Sequence, residues 1–287
     1  MFEGFDESFV DVGEVTLRVR RGGEGPPLLL LHGHPQTHVM WHRVAPELAK
    51  CFTVVCPDLR GYGDSSKPKG GGDHVAYAKR TMAGDFVRLM AGFGYDRFMV
   101  AGHDRGGRVA YRMALDHPDR VARLAVLDIL PTFEHYRRTD MAFALGYWHW
   151  FFLSQPFDLP ERLLQADPDA YFLRGRRHLF APEALADYER CYRLPGTIHA
   201  CCEDYRAGAT IDCRLDEADL KAGRRIACPL LVLWGAEGQV GGWYDVPAVW
   251  RDWATHVEGE GLPCGHYLPE EAPEATLEAF SRFFGAP

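Results

Sequence analysis

The chain has 287 residues, of which 47% are apolar and 13% aromatic, so it can bury a large core and fits the size of one elaborated domain. Its formal net charge of −8 is spread along the chain and not gathered into a basic stripe, so nucleic acid is not an expected partner. The longest apolar runs, such as residues 27–31 and 229–234, are far shorter than the roughly 20 residues that cross a bilayer, and no membrane helix is expected.

Strand-like and helix-like segments alternate in the first half of the chain. The run Pro27–Leu31 is continuously apolar, as in a strand that is buried on both faces of a sheet. Strands that alternate with helices predict a mainly parallel sheet covered by helices on both faces. In chain order we predict strands around a glycine turn at residues 10–20, a strand at 27–31, a helix at 39–50, a strand at 52–57, a helix at 75–93, a strand at 97–101, a helix at 106–116 and a strand at 121–127.

The alternation stops between residues 131 and 224. This segment has no strand-like run and is rich in aromatic residues, helix formers and prolines, so we predict an inserted helical cap. The pattern then resumes with a buried strand at 229–235, a helix at 246–254, a short strand at 256–258 and a helix at 273–284. The predicted fold class is α/β, with a core domain formed by residues 1–130 and 225–287 and a helical cap formed by residues 131–224.

A strand meets a helix at residues 100–108, where glycines lie two positions before and two positions after Asp104. This is the spacing of a sharp turn that presents a nucleophile above the edge of a sheet, with Asp in place of the usual Ser. The helix N-terminus and the neighbouring Arg105 and Arg108 favour an ionised carboxylate, which can attack carbon directly. The plain alternative is that Asp104 only caps the helix. The two glycines that flank it after a buried strand, Gly102 and Gly106, which we call the glycine frame, favour its role as a nucleophile.

Four motifs together resemble one enzyme family. They are residues 32–35 (His-Gly-His-Pro), 58–66 (Asp-Leu-Arg-Gly-Tyr-Gly-Asp-Ser-Ser), 102–108 (Gly-His-Asp-Arg-Gly-Gly-Arg) and 265–266 (Gly-His). The chain resembles the dehalogenases and epoxide hydrolases of the α/β-hydrolase superfamily, and most closely the fluoroacetate dehalogenases, almost end to end. The resemblance implies an α/β-hydrolase fold, hydrolysis of a small 2-haloacid through an ester on Asp104, and a possible homodimer.

The resemblance also assigns the rest of the catalytic machinery. The general base is His266, on the loop before the last helix. No Asp follows Gly235 at the usual offset, so Asp128, directly after the strand at 121–127, is predicted to orient the base, with Glu237 as the alternative. The backbone N–H groups of His34 and Arg105 are predicted to form the oxyanion hole.

The substrate contacts distinguish a dehalogenase from an epoxide hydrolase. Arg105 and Arg108 suit capture of a substrate carboxylate, although Arg108 alone could also form a surface salt bridge. By resemblance, His149 and Trp150 bind the leaving halide together with a cap tyrosine, for which Tyr205 is the best match. The alternative interpretation of this aromatic block is cap core.

Two other functions stay open. An epoxide hydrolase would use the same Asp and His with cap tyrosines that protonate the epoxide oxygen, and the cap offers several candidates: Tyr136, Tyr171, Tyr188 and Tyr192. A ligand receptor on the same fold would bind without turnover, and the intact nucleophile, acid and base argue against it.

No cofactor is expected, because side chains and water suffice for the predicted chemistry. The histidines at 34, 38 and 42 have i, i+4 spacing, but no cysteine or carboxylate completes a metal site there. The eight cysteines contain no Cys-x-x-Cys pair and are expected to be reduced. The first residues are acidic and lack the features of a secretory signal, which favours a cytoplasmic protein.

Overall fold

The computed structural model of the protein describes residues 1–172 and 175–285. Within these residues eight strands form one sheet, in the spatial order β1-β2-β4-β3-β5-β6-β7-β8. The strand β2 pairs antiparallel with β1 and with β4, and all the other neighbours are parallel. The strands are β1 (Phe5–Asp11), β2 (Thr16–Gly22), β3 (Pro27–Leu31), β4 (Thr53–Pro57), β5 (Phe98–His103), β6 (Val121–Leu127), β7 (Leu230–Gly235) and β8 (Val257–Leu262).

Helices cover both faces of this sheet and fill the segment between β6 and β7. Those before β7 are α1 (Ala45–Leu48), α2 (Lys79–Gly92), α3 (Asp104–Asp116), α4 (Thr132–Arg137), α5 (Met141–Gly146), α6 (Trp148–Leu153), α7 (Leu159–Ala166), α8 (Pro168–Phe172), α9 (Pro182–Tyr192), α10 (Thr197–Ala207) and α11 (Cys213–Lys221). Those after β7 are α12 (Gln239–Trp243), α13 (Val246–Arg251), α14 (Leu268–Glu271) and α15 (Pro273–Phe284). None of these helices combines the length and the apolar character needed to cross a membrane.

The core lies in two layers, one on each face of the sheet. Because successive strand residues point to opposite faces, Leu29 and Leu31 of β3 pack into one layer with α2 and α3, and Leu28 and Leu30 pack into the other with α1 and α15. All four leucines are fully buried. Burial on both faces explains why β3 is apolar at every position instead of alternating with polar residues.

The predicted α/β fold is confirmed, and most predicted elements lie within a few residues of their observed positions. Two differ more. The helix predicted at residues 39–50 is a 3₁₀ turn (His38–Trp41) followed by the single turn α1, and the strand predicted at 256–258 extends to Leu262. The expected helix from 106 begins two residues earlier, at Asp104. The described residues between 131 and 224 contain only helices and connections, while their separation from the core as a cap domain stays a prediction.

The order of the strands determines where polar groups meet. Asp104 follows β5, Asp128 follows β6, and His266 lies on the loop after β8. Because β5, β6, β7 and β8 are parallel neighbours, their carboxyl ends share one edge of the sheet. Ligands of open α/β sheets bind outside this edge, and the helices between β6 and β7 cover it here.

Candidate active site

Asp104 occupies a sharp turn between β5 and α3, in the left-handed backbone region with φ +44°. The turn presses neighbouring backbones together: a Cβ on Gly102 would lie 2.5 Å from the Gly106 carbonyl oxygen, and a Cβ on Gly106 would lie 2.3 Å from that of His32. Only glycine fits at both positions. The glycine frame seen in the sequence therefore presents the Asp104 side chain at the carboxyl edge of the sheet.

The two carboxylate oxygens of Asp104 have different surroundings. The His34 N–H donates a hydrogen bond to Oδ2 at 3.0 Å, whereas Oδ1 accepts none from the residues that the structure describes. One oxygen thus already lies against a backbone donor, and the other is available to react. The second predicted oxyanion donor, the Arg105 amide, makes no hydrogen bond to Asp104 within the described part of the chain, so its role stays a prediction.

The charges around Asp104 favour its ionised form. Burial alone would raise the pKa of this carboxyl, but the nearby positive charges of His266, Arg108 and Arg105 outweigh it and hold the pKa well below the usual range. The start of α3 adds the positive end of a helix dipole. Asp104 is therefore a carboxylate at neutral pH, as a nucleophile requires.

His266 is held by Asp128, as the sequence predicts. Asp128 Oδ2 lies 2.6 Å from His266 Nδ1, and its Oδ1 accepts the Gly235 N–H at 3.1 Å. Asp128 itself adopts a left-handed backbone with φ +53° directly after β6. Burial lowers the His266 pKa, but the hydrogen bond and charge of Asp128, with the charge of Asp104, more than compensate and raise it. The imidazole is therefore oriented with Nδ1 toward Asp128, which leaves Nε2 for proton transfer.

The alternative acid, Glu237, lies elsewhere in the site. Its side chain lines the cavity but makes no hydrogen bond to His266 among the described contacts. Its amide bonds to the Cys264 carbonyl at 3.0 Å, which ties its backbone to the loop before His266. The geometry thus favours Asp128 over Glu237 as the partner of the base.

Arg108 lines the cavity and has donors that are unpaired within the described residues. It is 1% exposed, and its Nη1 donates to the Leu130 carbonyl at 3.0 Å and to Thr132 Oγ1 at 3.4 Å. Neither its buried Nε nor its Nη2 makes a hydrogen bond to a described residue. The guanidinium lies 4.5 Å from the Trp150 ring centroid. A buried guanidinium with free donors on one side can bind a planar anion in two-point fashion.

Arg105, the other predicted carboxylate ligand, differs from Arg108. Its guanidinium donates two hydrogen bonds to Asp204, from Nε to Oδ2 at 2.8 Å and from Nη2 to Oδ1 at 2.9 Å. The guanidinium also lies 4.2 Å from the Tyr205 ring centroid, and the residue is not among those that line the described cavity. The structure thus brings Arg108 alone of the pair to the cavity wall, and a contact of Arg105 with substrate stays a prediction.

The predicted halide donors converge on the same cavity. His149 and Trp150 belong to α6 and Tyr205 to α10, and their rings contact one another, with the His149 and Trp150 centroids 5.8 and 6.1 Å from that of Tyr205. All three line the cavity, and their side chains make no hydrogen bond to another described residue. The interpretation of these aromatics as cap core alone does not account for three donors left open.

Each of these donors keeps its proton near neutral pH. Burial lowers the His149 pKa to about 3, so its imidazole is neutral, and burial with the charge of Asp104 raises the pKa of the Tyr205 hydroxyl well above its usual value. The indole N–H of Trp150 does not ionise. The cavity therefore offers N–H and O–H dipoles instead of a second full positive charge at this position.

The cavity has a volume of about 300 Å³ and contains groups that sequence reasoning did not single out. They are Tyr147, Phe172, Arg176, Tyr267 and Glu271.

Of the cap tyrosines considered for an epoxide hydrolase, Tyr171 lines the cavity. The others lie outside it: Tyr188 bonds to Glu270, Tyr192 bonds to Asp169, and the Tyr136 hydroxyl is buried. A signal for Tyr147 existed in the aromatic run at 147–152.

The histidines at 34, 38 and 42 have separate environments. His38 Nδ1 lies 2.7 Å from Asp58 Oδ1, and His42 Nδ1 lies 3.0 Å from the Val39 carbonyl. Burial lowers the His34 pKa to about 4, so this imidazole is neutral in the cavity wall. Among the described residues, no group of three or more metal-ligating side chains comes together. The eight cysteines, all of them described, are free.

Comparisons with known proteins show the family of the chain. A family model for the alpha/beta hydrolase fold matches residues 26–273. The chain is 48% identical over 290 residues to a fluoroacetate dehalogenase from Burkholderia sp, covering 99% of this chain and 95% of that protein. It is 38% identical over 272 residues to a soluble epoxide hydrolase from Corynebacterium sp. (strain C12), covering 91% of each. The crystal structure of ALR0039 from Nostoc sp PCC 7120, described as an α/β hydrolase, superposes with a TM-score of 0.97 at 54% identity and full coverage of both chains.

Proposed function

The chain belongs to the α/β-hydrolase family, and we propose that it hydrolyses the carbon–halogen bond of a small 2-haloacid, such as fluoroacetate or chloroacetate, to give glycolate and halide. One observation carries the proposal. The cavity around Asp104 is lined by the buried Arg108 and by three neutral side chains, His149, Trp150 and Tyr205, and each of the four has N–H or O–H donors that bind none of the described residues. The arginine suits a carboxylate, and the three dipoles suit a departing halide.

In the first step, Asp104 Oδ1 attacks the carbon that carries the halogen. Arg108 holds the substrate carboxylate so that this carbon lies in line with Oδ1. A C–O bond forms while the C–X bond breaks, and the bonding electron pair leaves with the halide toward His149 and Trp150. The product of this step is an ester between Asp104 and the 2-carbon of the acid.

In the second step, His266 takes a proton from water, and the resulting hydroxide attacks the Asp104 carbonyl carbon. The charge of the tetrahedral intermediate develops on Oδ2, which the His34 N–H already contacts at 3.0 Å. Collapse breaks the bond between Cγ and Oδ1, and the leaving alkoxide takes the proton from His266. Glycolate departs, and Asp104, now a carboxylic acid with an oxygen from water, releases its proton to solvent and becomes a carboxylate again. Both steps use only side chains and water, so the mechanism requires no cofactor.

An epoxide hydrolase is the second candidate, because one relative at 38% identity has that activity. Tyr147, Tyr171 and Tyr205 line the cavity and could supply a proton to an epoxide oxygen. An epoxide without a carboxylate, however, would leave the buried Arg108 donors without a partner, which costs free energy. The arginine therefore favours the haloacid.

The two functions are separated by measuring products. We expect the purified protein to release halide and an equal amount of glycolate from chloroacetate and fluoroacetate, measured by ion chromatography. Small epoxides should give little diol under the same conditions. Diol formation without halide release would assign the protein as an epoxide hydrolase, and tight binding without any product would favour a receptor.

Replacing Arg108 tests the carboxylate contact. Losing a charge-assisted hydrogen bond typically costs about 1.5 to 3 kcal/mol, so Arg108→Ala should lower kcat/KM for chloroacetate at least about tenfold. Arg108→Lys keeps the charge but lacks the planar fork and should restore only part of the loss. Chloroacetamide, which has no carboxylate, is the matched substrate, and its turnover should change far less. Equal losses for both substrates would contradict a role in binding the carboxylate.

Replacing Trp150 tests the halide site. Fluoride concentrates charge on a small atom and gains more from fixed donors than chloride does. Trp150→Phe keeps most of the packing volume and removes the N–H, so the rate of defluorination should fall several times more than the rate of dechlorination. Both rates are measured on one folded preparation, because a packing defect would lower them together. An unchanged ratio of the two rates would return Trp150 to a purely structural role.

Two finer expectations also remain proposals. We propose a homodimer on the strength of the family resemblance, to be tested by light scattering coupled to size exclusion. We propose a cytoplasmic location, to be tested by fractionation of the source cells. Neither affects the chemistry described for the single chain.

A further inference from the structure

The loop that carries His266 is bound by a carboxylate that the mechanism does not use. Glu271 Oε2 accepts the Gly265 N–H at 3.0 Å, and its Oε1 accepts the Tyr267 N–H at 2.7 Å. One carboxylate thus binds the two peptide N–H groups that flank the base. Hydrogen bonds to an ionised acceptor are roughly twice as strong as neutral ones, so this contact is well suited to hold a loop.

The main chain of His266 has a third contact from the side of the nucleophile. His103 Nε2 lies 2.7 Å from the His266 carbonyl, and because a carbonyl only accepts, Nε2 carries the proton. Burial and the charge of His266 lower the His103 pKa to about 3, so the ring is neutral. His103 directly precedes Asp104, and the hydrogen bond therefore links the backbone of the base to the turn of the nucleophile.

The same loop also lies tightly against the end of β7. A Cβ on Gly235 would lie 1.9 Å from the Gly265 carbonyl oxygen, so the two backbones touch. Gly265 itself gives the loop conformational freedom that only external contacts can remove. The hydrogen bond between His266 and Asp128 sets the direction of the ring, but it does not by itself fix the position of the backbone. Productive proton transfer requires both to be held within a fraction of an ångström.

We propose that Glu271 is a positioning residue for the second chemical step. It holds the backbone of His266 so that Nε2 lies within hydrogen-bonding distance of the water that attacks the Asp104 ester. The inference rests on the proposed function only in taking His266 as the base of ester hydrolysis. It predicts an effect on one step alone, because alkylation of Asp104 does not use His266. Glu271 also lines the cavity, so the competing explanation is that its charge acts on the substrate directly.

Glu271→Gln tests the proposal with little change in size. The amide has one carbonyl oxygen, so it can accept only one of the two N–H groups well and must turn an N–H donor toward the other. We expect the first-turnover release of halide from chloroacetate to keep its rate within about twofold. Ester hydrolysis should slow at least about tenfold, the effect of losing one charge-assisted contact. During turnover the enzyme should therefore accumulate as the Asp104 ester, measured by rapid quench and intact-protein mass spectrometry.

Glu237→Gln is the matched control, since it removes a carboxylate from the same cavity wall without touching either N–H beside His266. Its ester should hydrolyse at least several times faster than the ester of Glu271→Gln. The same accumulation of ester in both variants would assign the effect to cavity charge and overturn the proposal. So would wild-type ester hydrolysis in Glu271→Gln, or an equal loss in both chemical steps.

A shorter carboxylate guards against failure to fold. Glu271→Asp keeps the charge but cannot span both N–H groups, so it should give an intermediate accumulation of ester, and unchanged ester hydrolysis in this variant would also overturn the proposal. His266→Asn is measured beside these variants. If it retains ester while both Glu271 variants do not, the positioning role alone is wrong. If it retains no ester, the role of His266 as the base in the proposed function is wrong as well.

Discussion

Replacing His266 by Asn is expected to stop the reaction after its first step. Alkylation needs only the Asp104 carboxylate and the substrate contacts, whereas ester hydrolysis needs a base to deprotonate water. A general base contributes roughly 10²- to 10⁴-fold, so steady-state turnover should fall by about that factor while one equivalent of halide is still released. Intact-protein mass spectrometry should then detect an added carboxymethyl group, and peptide mapping should place it on Asp104.

Two controls sharpen this experiment. The His266→Asn protein should melt cooperatively, because its side chain is only partly buried and the loop keeps its contacts with Glu271 and His103. A double variant that also lacks Asp104 should gain no mass. An adduct on another residue, or steady turnover by His266→Asn, would remove both the base and the nucleophile from the mechanism.

Asp104→Asn is expected to abolish turnover and halide release together. An amide is not a nucleophile toward carbon. Removal of a nucleophile that acts together with its base lowers kcat at least about 10⁴-fold. Asn is the substitution of choice because Asp104 has φ +44°, a backbone region that Asn tolerates better than most residues do. The Asn carbonyl can also keep the hydrogen bond from the His34 amide.

The measurement is single-turnover halide release with enzyme in excess, compared with His266→Asn. The wild-type protein and His266→Asn should release one equivalent quickly, and Asp104→Asn should release none above the rate without enzyme. A normal burst of halide from folded Asp104→Asn would mean that water or another residue attacks the substrate.

The central strands could be predicted well from the sequence because they are buried on both faces, unlike β1 and β8 at the two edges of the sheet. Each position of β3 and most of β6 must then be apolar, which produces runs with clear bounds, and these two strands lie where the pattern placed them. The glycine frame around Asp104 was equally informative, since close backbone contact permits only glycine at residues 102 and 106. These signals are local in the chain.

Contacts between distant segments had no such signal. Asp204 binds Arg105 across 99 residues of sequence, so nothing near Arg105 indicated that its guanidinium has a partner. Asp204 also accepts hydrogen bonds from Lys79 and Tyr62, which makes it a junction between α10 and the core. The different surroundings of Arg105 and Arg108 therefore became visible only in the structure.

The support of the base was missed for a different reason. Glu271 accepts hydrogen bonds from the backbone N–H groups of Gly265 and Tyr267. Nearly every residue type has such an N–H group, so no sequence pattern indicates that Glu271 has this role. Asp128, by contrast, was predicted, because an acid directly after a buried strand must lie at the carboxyl edge of the sheet. The sequence thus indicates side chains at strand ends, such as Asp128. It does not indicate side chains that bind the backbone of a catalytic residue, such as Glu271.

In the proposed mechanism Asp104, and not water, attacks the substrate carbon. A single turnover of chloroacetate in H₂¹⁸O with enzyme in excess tests it most directly. The mechanism transfers Asp104 Oδ1 to the product, so the first glycolate should carry an unlabelled hydroxyl oxygen, and the peptide that contains Asp104 should gain the heavy isotope. Labelled glycolate hydroxyl together with an unlabelled protein would show direct attack by water and contradict the account.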